Sequence, residues 1–409
     1  MDCLNIDAVR FMRDIRELGD IGILGENKGR TRLALTASDI EAKRWFISHL
    51  EEIGLKVLID KFGNIAGVLE GKTQNELITA GSHLDTVVEA GCLDGAYGVL
   101  GALAVLRAVK AAGIVPEVSL GVINFTNEEG VRFKPDMSGS IGMAGYMSDE
   151  IVLSATDADG VSFAEELERH GFAGHDVIKP DKYVELHIEQ GPILEKAKKN
   201  IGIVQGIQGL AWWDVTFEGQ ACHAGAYPMY MRRDPFAALA DFSISLRESI
   251  SLISDAVCTI GIVEISPKVI NIVPGRVNFS VDARCPDSDG FSKLKDIVEM
   301  LIKKAAESHN VEYSFKCVAD APVIKFTKNM TDIIETCALK ETSSIMNLSS
   351  GAGHDAQFMH FICPTAMIFV PSVNGLSHCP QEETSENDLI TGVRILGRVM
   401  MELSKTPYN

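Results

Sequence analysis

Apolar and polar positions change rhythm twice along the chain. In the first stretch, short apolar runs of strand length (LKVLID, GNIAGVLE, ELITAGSH) alternate with longer segments of helical spacing. The start, MDCLNIDAVRFMRDIREL, predicts an amphipathic helix. EAKRWFISHLEEIG predicts another, capped by Ser38 and stopped at Gly54. A helix of small and apolar residues is expected over 96–112, and VSLGVINFT reads as a fully buried strand. Strands alternating with helices predict an α/β layer structure on a mixed, mostly parallel sheet.

From Leu210 the rhythm becomes strand (AWWDVTFEG), helix (235–252), strand (AVCTIGIVEI), strand (RVNFSVDAR), helix (291–307), strand (VEYSFKCV). That β-α-β-β-α-β order is the ferredoxin-like α+β arrangement, able to bury a core by itself. After it the α/β rhythm resumes, with a helix at 330–340, the strand TAMIFV and a last helix in NDLITGVRILGRVMMEL. The expected organisation is a discontinuous domain, 1–207 with 328–409, carrying an inserted domain at 208–327. At 409 residues the chain is long enough for two cores.

Composition narrows the function. Apolar residues form 46% and charged residues 23%, as in globular proteins. The formal charge of −18 repels phosphate backbones and anionic lipid, so neither nucleic acid nor membrane is an expected partner. No run approaches the roughly 20 apolar residues that span a bilayer. Nine scattered cysteines, Cys3 among them, include no C-x-x-C pair, which points to free thiols in a reducing cytoplasm.

The chemistry gathers at predicted strand ends, where open α/β sheets bind ligands. Five of the ten histidines (His49, His170, His175, His309, His360) stand in ordinary helical or loop contexts. The others are more telling. GSHLDTVVEAGCLDGAYG follows a strand and offers His83, Asp85 two residues on, and Asp94 in a glycine-rich loop. A carboxylate beside a histidine is a device that fixes the imidazole tautomer at metal sites. GVINFTNEEG ends a buried strand in Glu128–Glu129, whose side chains should diverge, one towards a metal and one acting as a base. YVELHIEQG carries His187, and NGLSHCPQEE carries His378. Each motif alone has a plainer meaning: H-x-D is also a loop histidine bonded to an aspartate, and Glu-Glu is also a solvated acidic turn. Together they match a two-metal hydrolase site.

In these motifs and their order, over nearly the whole chain, the sequence resembles the metal-dependent amidohydrolases of the M20 peptidase superfamily. The likeness is to the hydantoinase/carbamoylase branch, with N-carbamoyl-L-amino-acid hydrolases, allantoate amidohydrolase and β-ureidopropionase. The resemblance implies two divalent ions per subunit (zinc, manganese, cobalt or nickel). His83, Asp94, Glu129, His187 and His378 would be their ligands, with Asp94 bridging. It also implies Glu128 as general base and Asp85 as the residue orienting His83. From the inserted lid domain, His223 in ACHAGAYPM would reach across a homodimer to polarise the scissile carbonyl. Asn271 in VINIVPGRV and Arg284 in SVDARC would bind the substrate carboxylate, which the planar guanidinium suits. Gln190, Gly353 and His354 would line the pocket.

The expected activity is removal of the carbamoyl group from an N-carbamoyl-L-amino acid. Allantoate, ureidoglycolate and β-ureidopropionate chemistries use the same parts, and a catalytically silent binding or assembly protein is the rival outside the class. Two departures bear on the pocket. Tyr227 precedes Pro228–Met229 where the family has threonine or a small residue. The stretch after Gly209 is apolar (Leu210, Ala211, Trp212, Trp213), which favours an apolar side chain over allantoate.

Overall fold

The computed structural model describes residues 4–25 and 29–405; Cys3 and the first residues of the N-terminal segment lie outside them. The chain divides into two compact units. One comprises the chain up to Gln205, Phe326–Leu348 and the chain from Ala352; the other comprises Gly206–Lys325 with Ser349–Gly351. The second unit thus begins and ends two residues before the expected 208 and 327. Ser349–Gly351 joins it because Gln208 donates its amide to Ser350 O (3.0 Å) and Arg284 donates to Gly351 O (2.7 Å).

The sheet of the first unit is mixed. Its order is Lys56–Ile59, Ile65–Leu69, Val118–Phe125, Thr73–His83, Lys182–Ile188, Thr365–Val370, Ile201–Ile207, with Ile345–Ser350 also pairing to the last of these. Its centre is parallel: Val118–Phe125, Thr73–His83, Lys182–Ile188 and Thr365–Val370 all run the same way. Their carboxyl ends therefore lie side by side, with His83 opposite Phe125 and His187 opposite Phe369. Towards their carboxyl ends these strands are buried, and the helices Ala96–Ala111 and Glu386–Leu403 pack on them.

Local chemistry corrects two expectations. The helix Ala37–Glu52 takes Thr36 as its N-cap, while Ser38 turns its hydroxyl back to Thr31 O (2.9 Å). It ends just short of Gly54, which adopts a left-handed φ of 63°. The periodicity also missed the short helices Ser138–Ala144, Asp149–Leu153 and Phe163–His170. They carry too few turns to display an apolar stripe.

The second unit has the antiparallel order Val263–Ser266, Arg276–Cys285, Gly209–Glu218, Glu312–Ala321, with Val257–Thr259 also on Arg276–Cys285. Counting strands along the chain, this is the 4-1-3-2 order of a ferredoxin-like sheet. The single strand expected in AVCTIGIVEI is broken into two pieces around Ile260–Ile262. Helices Pro235–Ile250 and Ser288–Ser308 pack on this sheet around a core of Trp213, Phe217, Phe242, Phe279 and Leu294. Asp234 caps the first of these helices, accepting from the amides of Phe236 and Ala237, and Pro235 opens it.

Candidate metal centre

Four parallel strands deliver the first unit's site. His83 closes Thr73–His83, Glu128 and Glu129 follow Val118–Phe125 within four residues, and His187 lies near the end of Lys182–Ile188. His378 stands in the loop between Thr365–Val370 and the last helix. Asp94 comes from the turn that starts the helix Ala96–Ala111, where the helix N-terminus favours negative charge. Gly95, at φ 63°, is required there: a Cβ would overlap the His83 imidazole.

Two groups of donors converge, with Asp94 in both. His83, Asp94 and His187 offer atoms all within 4.8 Å of one another, as do Asp94, Glu129 and His378. His187 Nε2 is 3.2 Å and His83 Nε2 3.8 Å from Asp94 Oδ1; His378 Nε2 is 2.9 Å from Oδ2 and 3.6 Å from Glu129. All but His378 are at or near full burial, and His378 is half exposed.

The tautomers decide what this cluster suits. His83 Nδ1 lies 2.9 Å from the carbonyl of Asp85, and His187 Nδ1 lies 2.9 Å from that of Ile188. A carbonyl only accepts, so both rings carry their proton on Nδ1 and turn Nε2 lone pairs towards Asp94. The Gly95 amide donates to His187 Nε2 (3.1 Å), in keeping with a lone pair there. Lone pairs facing a carboxylate repel each other, and a divalent cation between them makes the contact attractive. Imidazole nitrogen and carboxylate oxygen without thiolate suit zinc, manganese, cobalt or nickel. The residues present therefore fit the two ions.

Electrostatics favours the same reading. Burial pushes the His83 imidazole below its ordinary value, keeping it neutral. Glu128 is driven well above its ordinary value by burial and then by the charge of Glu129; Glu129 rises through burial and then Asp94. Several carboxylates in one dry site resist ionising together unless cations join them.

Glu128 and Glu129 do diverge. Glu128 Oε2 points to His83 Nε2 at 3.5 Å, whereas Glu129 accepts from the Val87 amide (3.2 Å) and faces His378. The expected role of the Asp85 carboxylate is altered. Its backbone carbonyl, not its side chain, holds His83; Asp85 Oδ1 is 3.9 Å from Nδ1. The carboxylate instead accepts the amides of Glu128 and Glu129, each at 3.2 Å, and so fixes the turn that separates the two glutamates. Burial raises this carboxyl to about 6, against the pull of those two amides.

Gln190 meets the cluster directly, donating from Nε2 to Asp94 Oδ2 (3.0 Å). His354 is buried with its ring 4.5 Å from that of His187, and burial holds it well below its ordinary value. Gly353 lies against Met137, whose Cε a Cβ would meet at 2.6 Å.

The second unit holds the other three candidates. His223 ends the short strand Cys222–His223 and pairs with Ile272, while Asn271 immediately precedes the strand Ile272–Val273 and its carbonyl accepts the Ala224 amide at 2.9 Å. The exposed His223 ring accepts at Nδ1 from the amides of Gly225 and Ala226, each at 3.1 Å, which leaves the proton on Nε2. Arg284 points its Nε and Nη2 at Asp282, at 3.0 and 2.9 Å.

Several residues with structural hold on the site escaped sequence reasoning. The buried Arg32 donates from Nε to Leu84 O and from Nη1 to Leu18 O and Ile21 O, all at 3.0 Å, pinning the His83–Asp85 turn. Glu185 accepts from Ser82 Oγ (2.7 Å) and the Ala356 amide (2.9 Å) behind His187. Glu382 accepts from the amides of Leu93 and Asp94. An acidic residue inside an apolar strand was the available signal for Glu185; Arg32 and Glu382 gave none.

The chain is similar to known proteins over nearly its whole length. Residues 79–402 match the profile of peptidase family M20/M25/M40. The chain is 35% identical to an N-carbamoyl-L-amino acid amidohydrolase of Geobacillus stearothermophilus, covering 98% of this chain and 99% of that one. It is 33% identical to an allantoate amidohydrolase of Escherichia coli, covering 92% and 93%. The crystal structure of a hydantoinase/carbamoylase family amidase from Burkholderia multivorans superposes with a TM-score of 0.95 at 33% identity, over 99% of this chain and 100% of that one. Profile match, whole-length similarity and shared fold lead to one statement: the chain belongs to peptidase family M20/M25/M40, whose hydrolases are metal-dependent.

Proposed function

We propose that the protein hydrolyses the carbamoyl C–N bond of N-carbamoyl-L-amino acids, with one water consumed and the amino acid, ammonia and carbon dioxide released. The observation that carries the reading is the convergence of the His83 and His187 lone pairs, Glu129 and His378 on Asp94. His83, His187 and Asp94 would hold one divalent ion, and Asp94, Glu129 and His378 a second. Such a pair supplies Lewis acidity towards the carbonyl and acidifies a water.

The chain's own groups do the rest. Glu128, whose carboxyl burial and Glu129 raise, accepts the water's proton and passes it to the leaving nitrogen. His223 offers Nε2–H to the developing oxyanion, since its Nδ1 is already occupied as an acceptor. By family likeness it does so from the partner subunit of a homodimer, the inserted unit serving as lid and dimerisation domain. Arg284 and Asn271 orient the substrate carboxylate, while Gln190, Gly353 and His354 line the pocket. Asp85 keeps the two glutamates apart.

Likeness to the Escherichia coli allantoate amidohydrolase supports a second reading, in which allantoate or ureidoglycolate is the substrate. Ammonia release from metal-reconstituted protein on N-carbamoyl-L-methionine, N-carbamoyl-β-alanine and allantoate separates the two. Ala211 and Trp213 of the apolar stretch after Gly209 are buried in the second unit's own core, so that stretch does not set the preference; whole-length likeness to N-carbamoyl-L-amino acid amidohydrolases leads us to expect the highest kcat/KM on N-carbamoyl-L-methionine. A higher value on allantoate would reject the carbamoylase assignment.

A further inference from the structure

Glu382 is buried, charged by type and absent from the mechanism above. Its Oε1 accepts the Leu93 amide at 2.8 Å and the Asp94 amide at 3.2 Å, both nearly 290 residues away in sequence. Its Oε2 accepts the hydroxyl of Ser377 at 2.9 Å, and Ser377 immediately precedes His378. One carboxylate thus ties the turn that carries Asp94 to the loop that carries His378. The chain leaves room for it: a Cβ on Gly91 would overlap the Glu382 side chain.

The two proposed ions depend on such a tie unequally. His83 and His187 are fixed by their own strands and by carbonyls one or two residues away. His378 has no such support from a strand. It stands half exposed in a loop with a left-handed φ of 56°, and its contacts to Asp94 and Glu129 are side-chain contacts. What sets its distance to Asp94 is whatever sets the distance between the two loops.

We propose that Glu382 is a positioning residue that clamps the Asp94 turn to the His378 loop and so governs affinity for the ion held by Asp94, Glu129 and His378. The proposal rests on the reading that these residues hold ions. It goes beyond that reading by making the two ions separable.

The test is Mn²⁺ binding to the full-length chain, followed by metal content across a series of buffered free Mn²⁺ concentrations. Wild type should bind two ions. Glu382→Gln should weaken the second by about 10–100-fold, the usual cost of losing a residue that orients a ligand, and the first by less than about threefold. Gly91→Ala keeps the carboxylate but displaces it, and should reproduce the pattern. Ser377→Ala removes the His378 end of the tie, together with the longer Ser377 contacts to Asp94 (3.4 Å) and Gln190 (3.3 Å), leaves Glu382 on the Asp94 turn, and should shift the same constant by a smaller factor, even if Glu382→Gln proves unable to fold. Two ions in wild type, with both constants unchanged or moved equally in the folded variants, would overturn the clamp alone. A wild type that takes up no Mn²⁺ would overturn the ion reading as well.

Discussion

His83 and His187 in the first unit and His223 in the second are the same side chain held in opposite tautomers. The first two donate Nδ1–H to backbone carbonyls and present lone pairs; the third accepts backbone amides at Nδ1 and presents Nε2–H. A lone pair suits a cation, and an N–H suits an oxyanion. Surroundings differ in the same sense. The first pair is almost wholly buried and fixed within a parallel sheet, whereas His223 is exposed on a two-residue strand. Residue type names a possible ligand, and the backbone group one to three positions away decides which chemistry it performs.

The sharpest way to break this division is to remove the proton acceptor of the buried region. Glu128→Gln should lower kcat by roughly 10²–10⁴-fold, the range for lost general-base catalysis, while bound metal stays near two ions. Metal analysis decides the assignment: if Glu128→Gln loses ions and Glu129→Gln retains them, the two glutamates have exchanged roles.

Next in size is the exposed region. His223→Ala should cost about 10²–10³-fold in kcat, as for an oxyanion donor, with metal content unchanged. Loss of metal in that variant would erase the distinction between the two tautomers. The smallest effect concerns Arg284, whose fork Asp282 already grips. Asp282→Asn should raise KM for a carboxylate-bearing substrate by about fivefold or less, as partly exposed ion pairs contribute little, and leave kcat alone. A lower KM would mean that Asp282 competes with the substrate for Arg284.

The sequence displayed what depends on neighbours in the chain. Buried strands such as VSLGVINFT are continuous apolar runs, and Glu128–Glu129 or His83 interrupt such runs at their ends, so the site's position on the sheet could be read directly. Several such interruptions taken together suggested a two-metal hydrolase site, and His83, Asp94, Glu129, His187 and His378 were named as its candidate ligands through family likeness. Roles made by distant backbone stayed hidden. Nothing near Glu382 announces that it will accept amides at Leu93 and Asp94, and Arg32 shows no sign of its bond to Leu84 O. Asp85 was read as a partner of His83 because they are two residues apart; in the fold its carboxylate is recruited by the amides of Glu128 and Glu129, brought over from the adjacent strand. Arg284 and Asn271 looked like strand-surface residues and were found only through family likeness.

The central claim is that Asp94 is shared by two cations, one facing His83 and His187 and one facing Glu129 and His378. Anomalous diffraction from crystals of the Mn²⁺-loaded protein, collected near the manganese edge, tests it most directly. The account predicts two anomalous peaks within bonding distance of the Asp94 carboxylate, one also reached by His83 Nε2 and His187 Nε2 and the other by His378 Nε2. A single peak not shared through Asp94, or density at Nδ1 of either buried histidine, would contradict it.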